Sequence, residues 1–391
     1  MTDRSRLAIV VWSVLVSQVF LYPGLSETVV ALGGGDDILA GTWFLVAEFG
    51  AFVTCAVLWG LASDTLGRRT PLVVLGAAGG AASYLAVALS PGLELGFGVV
   101  LALRVVGGAF TIGAFSLSIT MLMDLSGGHG RNMGAAGTAI GLGAALGSVV
   151  GGQLATVDPL APLYAGAALL AAAAILAATV PDRGPGDGLP VGTLVARVRD
   201  RPMLLVPFAF GYVDRLTAGF FALTGVAYFR DVFGIDAGQA GLTLALFFVP
   251  FAVLQYPVGS LSDRVGRFLP VVVGSMLYGV AIVAVGLAPT YLLAAGLMVV
   301  VGICGALVSP TTMALVTDIV PSSGRGAAMG GFNVFGSLGM FSGFLVGGLV
   351  TEWYGYLAAF LVAGGLEIAI ATVASGAVRR IAWRSTTPTS G

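Results

Sequence analysis

Lysine is absent from this chain of 391 residues, so every strong base in it is an arginine. Histidine occurs once, at His129, and cysteine twice, at Cys55 and Cys304. Charge of either sign is scarce: charged residues make up 9% of the chain, against about 25% in soluble domains. These shortages exclude a good deal. With one histidine in a loop, no metal-ligand cluster and no glycine-rich phosphate loop after a strand, no catalytic constellation can be assembled. The two cysteines each lie inside an apolar run, which gives neither a disulfide framework nor a metal knot. A formal net charge of −1 offers nothing to nucleic acid. No enzyme activity, cofactor, metal or nucleic-acid partner is expected.

What is present in quantity is apolar surface. The chain is 57% hydrophobic with mean hydropathy +0.99, a composition that belongs in a lipid bilayer. A membrane helix needs roughly 20 apolar residues, and the charged breaks divide the chain into twelve such runs. They fall near 7–31, 38–62, 71–90, 95–123, 132–156, 160–180, 203–229, 237–262, 269–288, 291–317, 326–350 and 356–378, and are numbered spans 1 to 12. The first run has no small-residue cleavage site and leads directly into the second, so it reads as a first span and not a removable signal.

Arginine sets the orientation. With the N-terminus in the cytoplasm, Arg4, Arg6, Arg68, Arg69, Arg131, Arg183, Arg197, Arg199, Arg201, Arg264, Arg267, Arg325, Arg379, Arg380 and Arg384 all fall inside, and only Arg230 falls outside. The external turns carry Asp36, Asp37, Glu94, Asp158, Asp231, Asp236 and Glu352. The expected location is the cell membrane, multi-pass, with both termini cytoplasmic.

One short pattern occurs twice. Gly60, Asp64, Gly67 and Arg68, between spans 2 and 3, return as Gly259, Asp263, Gly266 and Arg267, between spans 8 and 9, with the aspartates 199 positions apart. Asp124 is followed seven residues on by Arg131, and Asp318 seven residues on by Arg325, each pair closing the fourth span of its half. The glycine stripe Gly143, Gly147, Gly151 on span 5 is answered by Gly339, Gly343, Gly347 on span 11; small residues at a four-residue period allow close helix crossings. The chain is therefore a duplicated bundle. Its organisation is expected to be 1–180, a six-helix bundle; 181–202, a cytoplasmic linker; and 203–391, a second bundle with a short cytoplasmic tail. In the linker Val191, Leu194, Val195 and Val198 share a helical face, which reads as a short amphipathic helix on the inner leaflet.

The repeated loop pattern resembles the signature of the major facilitator superfamily of secondary transporters. That resemblance covers essentially the whole chain and implies an all-α membrane fold of twelve helices in two parallel six-helix repeats, with substrate near the midplane. It also implies a conformational lock in which Asp64 faces the start of span 11 and Asp263 mirrors it against span 5, the carboxylates meeting helix N-termini. Gly60 and Gly259 would permit the close approach, and the following arginines would reach Asp124 or Asp318. The span 5 stripe is similar to the superfamily's antiporter motif but has Ser148 where that motif has proline.

Charges within spans carry the chemistry, because a charge at the bilayer centre costs at least roughly 2.5–3.5 kcal/mol and needs a partner or a watery cavity. At about 1.5 Å per residue, Glu48 in span 2, Arg104 in span 4, and Asp214 with Arg215 in span 7 all lie near mid-depth. The resemblance brings these spans to the central cavity. Arg104 with Gly108 four residues on is similar to the span 4 motif of drug–proton antiporters, although Gly107 stands where that branch has glutamine. Arginine does not release its proton, so its task is to hold an acid ionised. The repeat does not copy these groups: Met298, Phe247 and Leu15 occupy the positions aligned with Arg104, Glu48 and Asp214. Adjacent in sequence, Asp214 and Arg215 point about 100° apart and are not expected to pair. Glu367, in span 12, reads as a peripheral structural residue paired to a neighbour. Gln18, Tyr22, Trp43, Tyr212, Phe220, Gln255 and Asn333, with Phe332, complete the candidate lining, and Pro23, Pro250, Pro257 and Pro310 can bend their helices.

The reading is a secondary active transporter, driven by a proton gradient and working by alternating access, that exports small amphipathic or cationic compounds as a monomer. Proton-coupled uptake of a sugar or other small metabolite is the alternative, and a sensor or lipid scramblase on the same fold is a third.

Overall fold

The computed structural model of the chain describes residues 2–125, 129–182, 201–321 and 325–386. Within them all regular structure is helical and no strand occurs. Ten stretches are long and apolar enough to cross a membrane. One of these, Ala328–Ile381, holds two spans, because Gly355 breaks it with φ 82° and ψ 171°. Span 1 is split into Asp3–Val19 and Leu25–Ala31 around Pro23, giving the twelve passages the charge breaks require.

Spans 2 to 6 are Ile38–Leu66, Thr70–Leu89, Phe97–Met123, His129–Val157 and Ala161–Ala178. Span 7 runs as Leu205–Phe220, a π-helical turn Phe221–Gly225, and Val226–Phe233. Span 8 is Ala237–Val265, continuous through Pro250 and Pro257. Span 9 opens with a second π-helical turn, Leu269–Val273, before Gly274–Gly286, and span 10 is Tyr291–Ile319. Helix starts are fixed by local chemistry. The Asp37 carboxylate accepts from Ala40 N at 2.7 Å, and Thr290 Oγ1 accepts from Leu293 N. At the N-terminus of span 3, both Arg69 N and Thr70 N donate to the Asp182 carboxylate, which neutralises two otherwise orphaned amides. The linker helix expected at 191–198 lies outside the described residues.

Lipid removes the hydrophobic drive between helices, so close packing through small residues must hold the bundle. Both glycine stripes do this, each against the first span of its repeat. On span 5, a Cβ at Gly151 would lie 2.4 Å from the Phe20 carbonyl oxygen, and one at Gly147 would lie 3.1 Å from Val19. On span 11, a Cβ at Gly339 would lie 2.1 Å from Tyr212 O, and one at Gly343 would lie 2.2 Å from Leu216 O. Ser148 keeps span 5 unbroken, its hydroxyl donating to Ala145 O at 2.9 Å.

The compact units differ from the sequence repeats. One unit comprises Met1–Gly188 with Gly225–Phe248, and the other Leu189–Thr224 with Val249–Gly391. Span 7 from Gly225 onward and span 8 as far as Phe248 thus cluster with the first repeat. The contacts are specific: Gly152 abuts Ala237 O, Gly241 abuts Ser148 O, and Arg230 pairs with Glu27.

Candidate functional site

In the first unit a close helix crossing builds the central ion pair. Gly108 presses on span 2 so tightly that an added Cβ would sit 2.0 Å from Glu48 O, and Gly107 lies against Ser83 of span 3. Span 4 therefore approaches span 2 at the Glu48 peptide, and Arg104, one turn earlier, reaches the carboxylate. The pair is sealed: Glu48 is 0% and Arg104 1% exposed. Tyr84 OH donates to Glu48 Oε1 at 3.1 Å, and the Arg104 guanidinium stacks 4.2 Å from the Phe44 centroid and 5.2 Å from that of Tyr84. Gln18 and Tyr22 border the pair from span 1 and are buried with it. Such an enclosure holds both charges only because each compensates the other; removing one partner strands the other in low dielectric. Sequence reasoning brought Glu48 and Arg104 to one cavity. The structure joins them directly, and it adds Tyr84 and Phe44, which the sequence did not single out.

In the second unit Asp214 and Arg215 sit differently. Asp214 is 4% exposed, with Ser309 of span 10 against its carboxylate. Arg215 is 31% exposed, its stem lying over Gly336 of span 11. Expected to diverge, the two still approach to 3.9 Å, Nε to Oδ2, which is an ion-pair contact too long for a hydrogen bond. Of the softer candidates, Phe220 is buried in edge-on contact with Phe221 and Phe360. Trp43 and Asn333 are exposed, and Tyr212 and Gln255 half-buried.

The two loop motifs share a geometry that the spacing alone did not reveal. Gly67 and Gly266 have φ +63° and +85°, left-handed values that end spans 2 and 8 and strain any L side chain. In the second copy Arg267 bonds Asp263 at 2.6 Å, Asp318 at 3.1 Å and Ser262 Oγ at 2.6 Å. In the first copy the equivalent work falls to Arg69, not to the aligned Arg68. Arg69 pairs with Asp124 and its Nε reaches Ser63 Oγ at 3.4 Å, while Arg68 is exposed. The two loops have the same length, and Arg69 stands where the second copy has Phe268. Asp64 is exposed, a Cβ at Gly60 would meet nothing within 4 Å, and at Gly259 the nearest atom is 3.9 Å away. Arg325 is exposed, and the Arg131 side chain lies outside the described residues.

A further cluster escaped the sequence reading. Arg230, the one arginine assigned outside, forms a two-pronged pair with Glu27 and reaches toward Pro23 O, where a Cβ on Gly24 would meet Ala155 at 2.2 Å. The signal was available: a lone cation on the acidic side needs a partner.

The family model described as Major Facilitator Superfamily matches residues 7–229 and 203–386. The chain belongs to this superfamily. It is 32% identical over 161 residues to the uncharacterized MFS-type transporter MJ1560 of Methanocaldococcus jannaschii, covering 39% of this chain and 42% of that one. It is 27% identical over 158 residues to the multidrug resistance protein MdtG of Serratia proteamaculans, covering 37% and 38%. The chain thus spans about two fifths of the length of these relatives. In fold it is similar to the human organic anion transporter MFSD10, with TM-score 0.69 and 21% identity over 95% of this chain and 98% of that one. The superfamily and the apolar helices make it a multi-pass membrane protein.

Proposed function

We propose that this chain is a proton-coupled secondary transporter of small organic solutes working by alternating access, not an enzyme. The observation that carries the reading is the sealed Glu48–Arg104 pair. An acid held by an arginine at the depth of the membrane, between helices that cross on Gly108, can take up a proton only when the two separate. Movement and protonation are thereby linked. The duplicated loop clusters around Arg69 and Arg267 brace the inner ends of each unit, and Asp64, free at the surface, is assigned to the lock of another conformation. Arg230 with Glu27 closes the outer end of the first unit, and both termini are assigned to the cytoplasm.

The exposure pattern favours organic anions as substrates. Glu48 is neutralised by Arg104 and Asp214 is buried, whereas Arg215 keeps its guanidinium partly open, and a planar guanidinium suits a carboxylate. Export of amphipathic or cationic compounds is the second reading, supported by the Arg104–Gly108 pattern and by the likeness to a multidrug resistance protein. Proteoliposome flux with matched anionic and cationic analogues separates them. Anion transport lost in Arg215→Gln supports the first reading; cation transport lost in Asp214→Asn and untouched by Arg215→Gln replaces it with the second.

A further inference from the structure

Glu367, on span 12, is 0% exposed, yet no arginine among the described residues pairs with it. Its company is hydroxylic. Thr217 of span 7 lies 3.2 Å from Oε1 and Ser275 of span 9 lies 3.0 Å from Oε2, each hydroxyl donating to the carboxyl. The site is fixed by backbone contact, since a Cβ on Gly279 would lie 2.4 Å from Gly364 O and one on Gly364 would lie 2.5 Å from Gly279 O. That crossing seats span 12 on span 9 one turn before Glu367. Three titratable groups face it, Asp214 from span 7, Tyr278 from span 9 and Cys304 from span 10, whereas Arg215 faces Asp214 and Tyr278. Tyr278 is 0% exposed and its hydroxyl has no hydrogen-bond partner among the described residues.

We propose that Glu367 is a proton-binding site, holding its proton between the hydroxyls of Thr217 and Ser275 while span 7 is seated against spans 9 and 12. A buried carboxylate with no cation beside it, and with Asp214 as its charged neighbour, is strongly disfavoured. Once the carboxyl is neutral, one hydroxyl contact reverses and accepts from it. Two π-helical turns adjoin the donors, Phe221–Gly225 just after Thr217 and Leu269–Val273 just before Ser275. Such turns commonly mark mobile functional positions. The first also falls where span 7 passes from one compact unit to the other. Withdrawal of Thr217 with span 7 would open the carboxyl to water, which receives the proton and leaves a carboxylate; by linkage, proton binding in turn favours the seated position.

The inference concerns the second unit alone and does not depend on which solute is carried. Infrared spectra of the purified full chain, in light and heavy water at neutral pH, should contain a deuterium-sensitive carboxylic-acid carbonyl band that Glu367→Gln removes. If that variant fails to fold, Thr217→Val and Ser275→Ala in the otherwise native chain should each shift the band. Loss of carboxylate bands alone in Glu367→Gln, or an acid band insensitive to both hydroxyl changes, overturns the proposal. An acid band present in choline and replaced by carboxylate in sodium would also overturn it, assigning the site to a metal cation.

Discussion

Two fully buried glutamates, one in each compact unit, show two solutions to the same physical problem. Glu48 is paired with Arg104, whose guanidinium lies over the rings of Phe44 and Tyr84, whereas the Glu367 carboxyl is hydrogen-bonded by two hydroxyls. The first is an ion pair that must be broken before a proton can bind. The second has no cation to displace, so its occupancy follows the position of its hydroxyl partners. The glycine crossings around both are alike in kind, Gly108 on Glu48 O and Gly279 on Gly364 O. Duplication has kept the glycine stripes of spans 5 and 11, while the charges set on that frame have diverged.

The comparison breaks most visibly at Arg104. Arg104→Ala leaves Glu48 buried and unpaired, and should destabilise the protein by about 3–5 kcal/mol. The double variant Glu48→Gln with Arg104→Gln removes both charges and should recover most of that loss. Thermal unfolding in detergent measures both. Equal melting of the single and double variants would show that the pair is not the source of the cost.

At the repeated loops the effect is smaller, and the neighbouring arginine supplies the control. Arg69→Ala takes a buried partner from Asp124 and Ser63 and should cost about 1–3 kcal/mol. Arg68→Ala, at an exposed position, should stay within about 0.5 kcal/mol. The same unfolding measurement compares them; equal losses would return the structural role to the aligned arginine. Smaller again is Arg230→Ala, worth about 1 kcal/mol because the pair with Glu27 is partly exposed. Spin labels at the exposed Val30 and Val232 should then report a population of longer distances, several-fold larger than in the unaltered chain.

Much of this was legible in the sequence, and the rest was hidden for definable reasons. Apolar runs and charged breaks gave the twelve passages, since lipid forces every backbone group into helix. The repeated Gly–Asp–Gly–Arg spacing located the loop clusters. It could not tell Arg68 from Arg69, because adjacent side chains at a helix start point about 100° apart and only the folded loop says which one turns inward. Arg104 with Gly108 located the ion pair, although the reason for the glycine, the Glu48 carbonyl pressed against it, appears only in three dimensions. Tyr84, Thr217 and Ser275 were unreadable as site residues: hydroxyls in apolar spans are common, and nothing in one-dimensional spacing brings them to a glutamate 36, 150 or 92 positions away.

Glu48 is the acid proposed to couple movement to protons. Glu48→Gln reconstituted in proteoliposomes, with substrate exchange and gradient-driven accumulation measured on one preparation, is the direct test. Exchange should persist, because it needs alternating access but no net proton movement, and accumulation driven by a proton gradient should be lost. Full proton-driven accumulation by this variant would contradict the assignment and leave the Glu48–Arg104 pair as a structural tie between spans 2 and 4.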